Sequence, residues 1–248
     1  MSIFSRLFSF DSEKSGTDLS AVFCDIHSHF IPKIDDGAQT IEDSIDLIRC
    51  LYELGYKKII TTPHIMSDAF KNTPEVIMGG LEKVREAIKT AGIPVQLDAA
   101  AEYYVDYDFE QKIEKEKLLS FGDNYLLFEV SYVNPPDNLN SVIFKLQTAG
   151  YKPVLAHPER YNFWHRNFEK YQELKDKGVL FQMNINSVTG FYSFSTKKTA
   201  EKMIDNGMIE FIGTDCHHIG HIELLKKAAG NKHLRKLIES GRLINQKL

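Results

Sequence analysis

The sequence predicts an α/β domain in which seven parallel strands alternate with helices and close into a barrel. Short apolar runs alternate with longer segments of helical periodicity, and the links between them are short. This alternation implies parallel strands joined by right-handed crossovers. The 248 residues, 43% of them hydrophobic and 26% charged, suffice for one full core. Seven strand–helix units in one domain favour a closed barrel, smaller than the usual eight.

The elements follow one another regularly along the chain. The first helix is capped by Thr40, presents Ile41, Ile45 and Ile48 on one face, and ends before Gly55. Thr73 and Pro74 begin the second helix in the same way. Strands are predicted at 21–26, 58–62, 94–101, 125–130, 153–156, 179–185 and 209–213. Helices are predicted at about 40–54, 74–91, 108–118, 139–149, 168–177, 196–206, 223–229 and 234–239.

The first twenty residues differ from the rest of the chain. Residues 2–10 are short and apolar with a single arginine, and they lack the length and cleavage site of a signal peptide. Residues 11–20 are polar and are typical of a linker. We therefore predict an N-terminal extension over residues 1–20 and a single domain over residues 21–248.

Composition excludes several classes of function. The net charge of −4 and the lack of a long basic run disfavour nucleic-acid binding. No apolar stretch approaches the ~18 residues of a transmembrane helix. The cysteines Cys24, Cys50 and Cys216 are odd in number and scattered, which favours a reducing cytoplasm. None of them is followed by five residues and then arginine, so the loop of thiol-based phosphatases is absent.

Candidate metal ligands stand at or just beyond the ends of the predicted strands. The carboxyl ends of parallel barrel strands meet on one face, so these side chains are expected to converge there. Eight of the nine candidates stand there, namely His27, His29, His64, Glu102, Glu129, His157, Asp215 and His217, and Asp36 is the ninth. Nine nitrogen and oxygen ligands are too many for one tetrahedral ion and indicate two or three clustered ions. The mixture of imidazole and carboxylate suits manganese, iron or zinc better than calcium.

Each of these motifs is weak on its own. The pair His27-x-His29 is often incidental, and His64 and His157 could be strand-end histidines bonded to the backbone. Glu129 is more informative, because a carboxylate inside an apolar strand is costly unless it is paired or metal-bound. Together the motifs indicate a cation cluster that activates water and polarises a phosphoryl group.

The motifs resemble those of the polymerase-and-histidinol-phosphatase (PHP) superfamily. Within it, the chain is similar to the manganese-dependent bacterial protein-tyrosine phosphatases of capsule and exopolysaccharide loci. The resemblance runs from Phe23 to His217. The matching segments are 25–29, 35–37, 61–64, 101–102, 128–129, 156–161 and 214–217. The resemblance implies the PHP fold, a distorted seven-stranded TIM-like barrel that holds three metal ions.

The resemblance also implies how the ligands divide among the ions. The first ion takes His27, His29, Glu102 and Asp215; the second takes Glu129 and His157 and shares Glu102; the third takes Asp36, His64 and His217. Arg160 is implied as the residue that holds the substrate phosphate, a task that its planar guanidinium suits.

Three further residues are candidates to contact the substrate. Relatives often carry an arginine shortly after the last Asp-x-His motif, whereas this chain has His218-Ile219-Gly220-His221. His221 is therefore a candidate replacement donor to phosphate, and the alternative is that the role is missing. Tyr132 and Tyr161 are candidates to flank a phenyl ring, although aromatic residues at strand ends more often pack the rim.

The resulting hypothesis is hydrolysis of phosphotyrosine by in-line attack of a metal-bound hydroxide. The implied substrate is the tail of a partner bacterial tyrosine kinase that controls polysaccharide synthesis. This substrate would place the protein in the cytoplasm, at the inner membrane through its partner. Two alternatives stay open: a small-molecule phosphatase such as a histidinol-phosphate phosphatase, and a non-catalytic, metal-stabilised kinase-binding module. The native metal, the oligomeric state and the kinase are not fixed by the sequence.

Overall fold

The computed structural model describes residues 17–248, which form nine short strands and eight α-helices. The strands are β1 (Cys24–Asp25), β2 (Lys58–Thr61), β3 (His64–Ile65), β4 (Gln96–Ala99), β5 (Glu102–Tyr104), β6 (Tyr125–Glu129), β7 (Lys152–Ala156), β8 (Leu180–Asn184) and β9 (Phe211–Gly213). The helices are α1 (Ile41–Glu53), α2 (Pro74–Thr90), α3 (Tyr107–Lys115), α4 (Leu139–Thr148), α5 (Glu169–Asp176), α6 (Phe194–Asp205), α7 (Ile219–Ala228) and α8 (Lys232–Glu239).

The strands pair in parallel throughout and form a curled sheet in two parts. One part has the order β1-β2-β4 and the other the order β3-β5-β6-β7-β8-β9. The second and third predicted strands, at 58–62 and 94–101, correspond to β2 and β4 in the first part. After breaks in pairing at 62–63 and 100–101, the chain continues as β3 and β5 in the second part. Pro63 has no N–H with which to continue a ladder. The predicted parallel α/β architecture is confirmed, whereas β3 and β5 are two short strands beyond the seven that were predicted.

The edges of the two parts also meet beyond the regular strands. Ser28 and Cys216 form a parallel bridge. The N–H of Asp215 donates to the carbonyl of His27 at 2.8 Å, and the N–H of His29 donates to the carbonyl of Cys216 at 3.1 Å. These bonds bring the segment after β9 beside the segment after β1.

Side-chain alternation separates an apolar interior from a polar end. Leu127, Val154 and Phe211, on three different strands, belong to a buried cluster distinct from the larger core under the helices. Glu129 lies two residues beyond Leu127 and so projects to the same face of β6. The sheet therefore places apolar residues at its middle and a carboxylate at its carboxyl end.

The helix boundaries follow from local capping chemistry. At the start of α1, the Thr40 hydroxyl accepts from the N–H of Asp43, and the Asp43 carboxylate accepts from the N–H of Thr40. Thr73 caps α2 with Pro74 in its first turn. These two helices begin where the sequence predicts.

The start of the described chain corrects part of the predicted boundary. Residues 17–20 pack on the domain rather than forming a linker, since the N–H of Thr17 donates to Ala229 and Leu19 is buried. The chain then forms a 3-10 helix at Leu19–Val22, and the first strand begins at Cys24 instead of residue 21. The prediction for residues 1–16 lies outside the described residues. Within residues 17–248, no helix is long and apolar enough to cross a bilayer.

Candidate metal centre

The nine predicted ligands lie together at the carboxyl ends of the strands. Most of them line a cleft of about 440 Å³, while His27 and His29 are buried beneath it. The pairs His27/His29 and Asp215/His217 follow β1 and β9, His64, Glu102 and Glu129 belong to β3, β5 and β6, His157 follows β7, and Asp36 lies in the loop before α1. Strand register thus brings together residues almost 190 positions apart.

Glu102 lies at the centre of this group. Its Oε2 atom is 3.1 Å from His27 Nε2, 3.2 Å from His64 Nδ1 and 3.7 Å from His29 Nε2. Its Oε1 atom is 3.1 Å from His157 Nε2. One buried carboxylate therefore faces four imidazoles, which is an arrangement suited to sharing between cations.

The remaining carboxylates each face a subset of the histidines. Asp215 Oδ1 lies 3.5 Å from Nε2 of both His27 and His29. Asp36 Oδ1 lies 3.3 Å from His217 Nε2 and 3.6 Å from His64 Nε2. These contacts follow the predicted first and third ligand sets.

The second ligand set is less sharply separated in the structure. Glu129 Oε1 lies 3.2 Å from His64 Nδ1, whereas Glu129 Oε2 lies 3.8 Å from His157 Nε2. Four groups have ligand atoms all within 4.8 Å of one another: His29/Asp36/His64/His217, His27/His29/Glu102, His27/His157/Asp215 and His64/Glu102/Glu129. The groups overlap, so the ligands form one continuous cluster.

Two nitrogen atoms of the cluster lack a hydrogen-bond partner. Among the described residues, His29 Nε2 and His64 Nδ1 are buried and make no hydrogen bond of good geometry, although carboxylate oxygens lie 3.2 to 3.7 Å from them. Buried polar atoms are rarely left unsatisfied without a reason. Both atoms point into a set of nitrogen and oxygen donors, so divalent cations fit the residues present.

The charges of the cluster shift its pKa values strongly. Burial by itself would lower the pKa of His27, but Glu102 and Asp215 outweigh it and raise that pKa to about 9. In the same way, Glu102 and Glu129 outweigh burial and raise the pKa of His64 to about 10. Burial would raise the pKa of Glu102, yet His27 and His64 hold it well below its usual range. The carboxylates thus attract positive charge that protons supply in the metal-free protein.

Two aspartates beside the ligands hold them in place. Asp35 Oδ2 accepts from His29 Nδ1 at 2.8 Å and from the N–H of His64 at 3.2 Å. Asp25 accepts from the N–H and hydroxyl of Thr214 at 2.9 and 3.0 Å. Asp35 thus orients His29 directly, whereas Asp25 fixes the backbone and side chain of Thr214, the residue before Asp215.

The backbone around the ligands is close-packed and strained. A Cβ at Gly37 would lie 2.4 Å from His29 Cβ, and one at Gly213 would lie 2.6 Å from His27 Cβ. His157 and Asp215 adopt left-handed conformations, with φ of 35° and 48°. Such conformations are uncommon in residues other than glycine and cluster at functional sites.

An amide pair on β8 joins two of the ligands and was missed from the sequence. His27 Nδ1 donates to Gln182 Oε1 at 2.7 Å, and Gln182 Nε2 donates to Asn184 Oδ1 at 3.0 Å. Asn184 Nδ2 then donates to Asp215 Oδ2 at 2.6 Å. The sequence signal for this pair is the spacing of Gln182 and Asn184, two residues apart in a buried strand, because residues two apart project to the same face of a strand.

Arg160 lies in the cleft, held by a carboxylate and two rings. Its Nη1 atom donates to Asp215 Oδ2 at 2.9 Å. Its Cζ atom is 4.8 Å from the ring centre of Tyr132 and 4.2 Å from that of Tyr192. Tyr192, which sequence reasoning did not identify, therefore helps to fix the guanidinium plane.

The other predicted contact residues divide into two kinds. Tyr132 lines the cleft, with its hydroxyl 3.4 Å from His157 Nε2. Tyr161 is fully buried, and its hydroxyl donates to Ala156 and accepts from the N–H of Val130. The prediction that Tyr161 contacts the substrate is therefore wrong, because its ring packs behind the cleft wall.

His221 lines the cleft as a neutral imidazole. Burial and the neighbouring His218 lower its pKa to about 4. Its Nδ1 atom lies 3.0 Å from the carbonyl oxygen of Asp215 and 3.3 Å from the backbone nitrogen of His217. A role as donor to phosphate stays a prediction. It would use the tautomer in which Nδ1 accepts from the N–H of His217 and the proton is on Nε2.

Comparison with known proteins gives a consistent set of matches. The family model described as CpsB/CapC, capsular polysaccharide synthesis, matches residues 23–238. The chain is 30% identical over 196 residues to the tyrosine-protein phosphatase YwqE of Bacillus subtilis, covering 79% of this chain and 77% of that one. It is 28% identical over 201 residues to the tyrosine-protein phosphatase CpsB of Streptococcus pneumoniae, covering 79% and 83%.

A solved structure is similar over almost the whole chain. It comes from a crystallographic study of YwqE from Bacillus subtilis and CpsB from Streptococcus pneumoniae, described as metal-dependent tyrosine phosphatases. The TM-score is 0.78 at 26% identity, with 90% of this chain and 94% of the other covered. The similarity therefore includes both the fold and the segments that carry the candidate site.

Proposed function

The chain belongs to the CpsB/CapC family of capsular polysaccharide synthesis, and on this premise we propose that it is a metal-dependent protein-tyrosine phosphatase. The observation that carries the proposal is the convergence of nine potential ligands on a cleft that also holds Arg160. Relatives that cover most of the chain are named tyrosine-protein phosphatases. A binding module would not need an open cluster of this kind.

The ligand cluster would hold two or three divalent cations, with manganese as the first candidate and iron or zinc as alternatives. Glu102 would be shared, because its two oxygens face four histidines. The cations would be held by His27, His29, Asp36, His64, Glu102, Glu129, His157, Asp215 and His217. Such cations supply an activated water near neutral pH and neutralise charge on phosphoryl oxygens.

Arg160 would bind the phosphate of the substrate. A guanidinium has five N–H donors, and the ion pair with Asp215 uses one nitrogen of the fork. The rings of Tyr132 and Tyr192 limit its movement, so its other donors are oriented before substrate arrives. Donors oriented in advance stabilise the charge that develops on the transferring group.

The substrate would be phosphotyrosine in a protein. Tyr132 is positioned to pack against the phenyl ring, because it lines the cleft beside Arg160. Phenolate is a tolerable leaving group, since the pKa of tyrosine is about 10, and we assign no general acid. His221 would donate a neutral N–H toward the phosphate.

The partner, the location and the domain architecture of the protein belong to the same proposal. The substrate would be the tail of a bacterial tyrosine kinase, in the cytoplasm and close to the inner membrane through that partner. Three free and buried cysteines support a reducing compartment. The bonds between residues 27–29 and 215–216 support one distorted seven-stranded barrel and a single domain over residues 21–248.

Reconstitution tests the proposal directly. Metal-free protein is loaded with manganese, iron or zinc, and phosphate release is measured from a phosphotyrosine peptide, a phosphoserine peptide and histidinol phosphate. We expect release only from loaded protein and chiefly from the phosphotyrosine peptide. Faster turnover of histidinol phosphate would assign the site to a small-molecule phosphatase, and no turnover with any metal would leave a binding module.

A further inference from the structure

Large apolar side chains are exposed around the mouth of the cleft. Ten large hydrophobic residues are exposed in residues 17–248. Five of them follow β6, β8 or β9, at the carboxyl end of the sheet where the candidate site lies: Tyr132, Val133, Phe191, Phe194 and Ile219. Exposed apolar residues that gather beside a cleft are typical of an interaction surface.

The sheet order places two of these groups on opposite sides of Arg160. Strands β6, β7 and β8 are neighbours, and Arg160 follows the middle strand. Tyr132 and Val133 follow β6, whereas Phe191 and Tyr192 follow β8. We call these two pairs the apolar wings. Arg160 packs between them, in contact with Tyr132 on one side and Tyr192 on the other.

Each wing continues from the cleft outward to solvent. The ring of Phe191 lies 5.0 Å from that of Tyr192 and 5.6 Å from that of His221, and its residue is 51% exposed. On the other side Tyr132 is 43% exposed and Val133 is 84% exposed. A molecule seated at Arg160 can therefore reach the outer residues of both wings, Phe191 and Val133, only if it extends in both directions from the phosphate.

We propose that the apolar wings bind the residues on either side of the phosphotyrosine, so that the enzyme prefers extended segments with apolar flanking side chains. This inference rests on the proposed function and adds a sequence preference to it. A polypeptide continues on both sides of its phosphotyrosine, whereas a small ester ends before it reaches Phe191 or Val133. Burying apolar surface against Phe191 and Val133 would supply the preference. A second copy of the chain or a lipid surface seated on both wings would cover the cleft between them.

The test compares two phosphotyrosine peptides that have leucine or glycine at both flanking positions, with p-nitrophenyl phosphate as a small ester. We expect the wild-type protein to turn over the leucine peptide with a kcat/KM about tenfold higher than the glycine peptide, mainly through KM. Phe191→Ser combined with Val133→Ser should reduce this ratio to about twofold or less. Phe144→Ser is the matched control, because Phe144 is 69% exposed on α4 and lies in neither wing.

Several results would overturn the inference. One is equal turnover of the two peptides by the wild-type protein, which needs no variant. Another is a leucine preference that survives in the double variant. A third is a change in self-association or vesicle binding in the double variant while the peptide preference stays intact, which would assign the wings to a second copy or to lipid. Failure of the proposed function is distinguishable, because then no phosphotyrosine ester, including the glycine peptide, would be hydrolysed.

Discussion

Replacing Gln182 by methionine is expected to weaken metal binding and to destabilise the metal-free protein. Gln182 is fully buried on β8, where its Oε1 atom accepts from His27 Nδ1 at 2.7 Å and from the N–H of His157 at 3.4 Å. Its Nε2 atom donates to Asn184 at 3.0 Å. Methionine has a similar length but offers neither a strong acceptor nor a donor, so all three partners lose a bond.

The size of the effect follows from these partners. A buried polar group left unpaired costs about 1–3 kcal/mol. The bonds to His27 and Asn184 are the shorter ones, so the free energy of unfolding should fall by roughly 2–4 kcal/mol. The bond to Gln182 also keeps the proton of His27 on Nδ1 and leaves Nε2 free to bind a cation. Partners that orient a ligating histidine are worth about 10–100-fold in metal affinity.

Two measurements and one control variant separate these effects. Urea unfolding of the metal-free protein gives stability, and calorimetric titration with manganese gives affinity. Gln147→Met is the control, because the Gln147 amide on α4 donates to the carbonyl of Lys177 at 2.7 Å in an exposed position. The free energy of unfolding of the Gln147→Met variant should differ from that of the wild-type protein by no more than about 0.5 kcal/mol. Equal manganese affinity in the two variants would refute the orienting role of Gln182.

Three further predictions follow from the same site. The pKa of His27 is raised to about 9 in the folded protein, so the stabilisation from its protonation is fully present below the unfolded pKa of about 6.5 and is lost as the pH rises through 9. Urea unfolding of the metal-free protein should show this fall in the free energy of unfolding. In saturating manganese, the fall over this pH range should disappear. Arg160→Ala should lower kcat/KM on a phosphotyrosine peptide by about 100-fold or more and leave the metal content unchanged. Arg166→Ala, at an exposed arginine, should leave kcat/KM unchanged. Full activity in Arg160→Ala would contradict the phosphate-binding role of Arg160. Gly213→Ala should destabilise the protein by about 1–3 kcal/mol, because the added Cβ would lie 2.6 Å from His27 Cβ. Gly79→Ala is the matched comparison in thermal unfolding, because a Cβ added at Gly79 meets open space.

The sequence predicted the helices well because their ends are determined locally. Thr40, Thr73 and Ser193 cap α1, α2 and α6 with their own side chains, within a few residues of each predicted start. Strand limits depend instead on pairing partners that lie far away in the chain. Hence the breaks at 62–63 and 100–101, and the 3-10 helix at Leu19–Val22, could not be predicted from periodicity.

The candidate ligands could be predicted because of a general property of parallel sheets. Histidines and acids that follow several strands must meet at one end of the sheet. Gln182 and Tyr192 carried no comparable signal, since an amide in a strand or a tyrosine in a loop is ordinary in composition. Their importance depends on register, for example the pairing of Ala156 with Gln182, which places Gln182 beside the start of the His157 segment. The burial of Tyr161 depends equally on packing that its position after β7 does not reveal.

The left-handed backbone at His157 and Asp215 connects the amide pair to the ligand cluster as a whole. These conformations are unfavourable for residues with a Cβ, so the surrounding bonds must hold them. The N–H of His157 donates to Gln182, and the N–H of Asp215 donates to the carbonyl of His27, itself bound to Gln182 through its ring. The same side chain thus orients one ligand and supports the backbone of another, while Asn184 holds the carboxylate of Asp215. Because these ligands belong to overlapping groups, a disturbance at β8 should spread through the whole cluster rather than remain at one cation position.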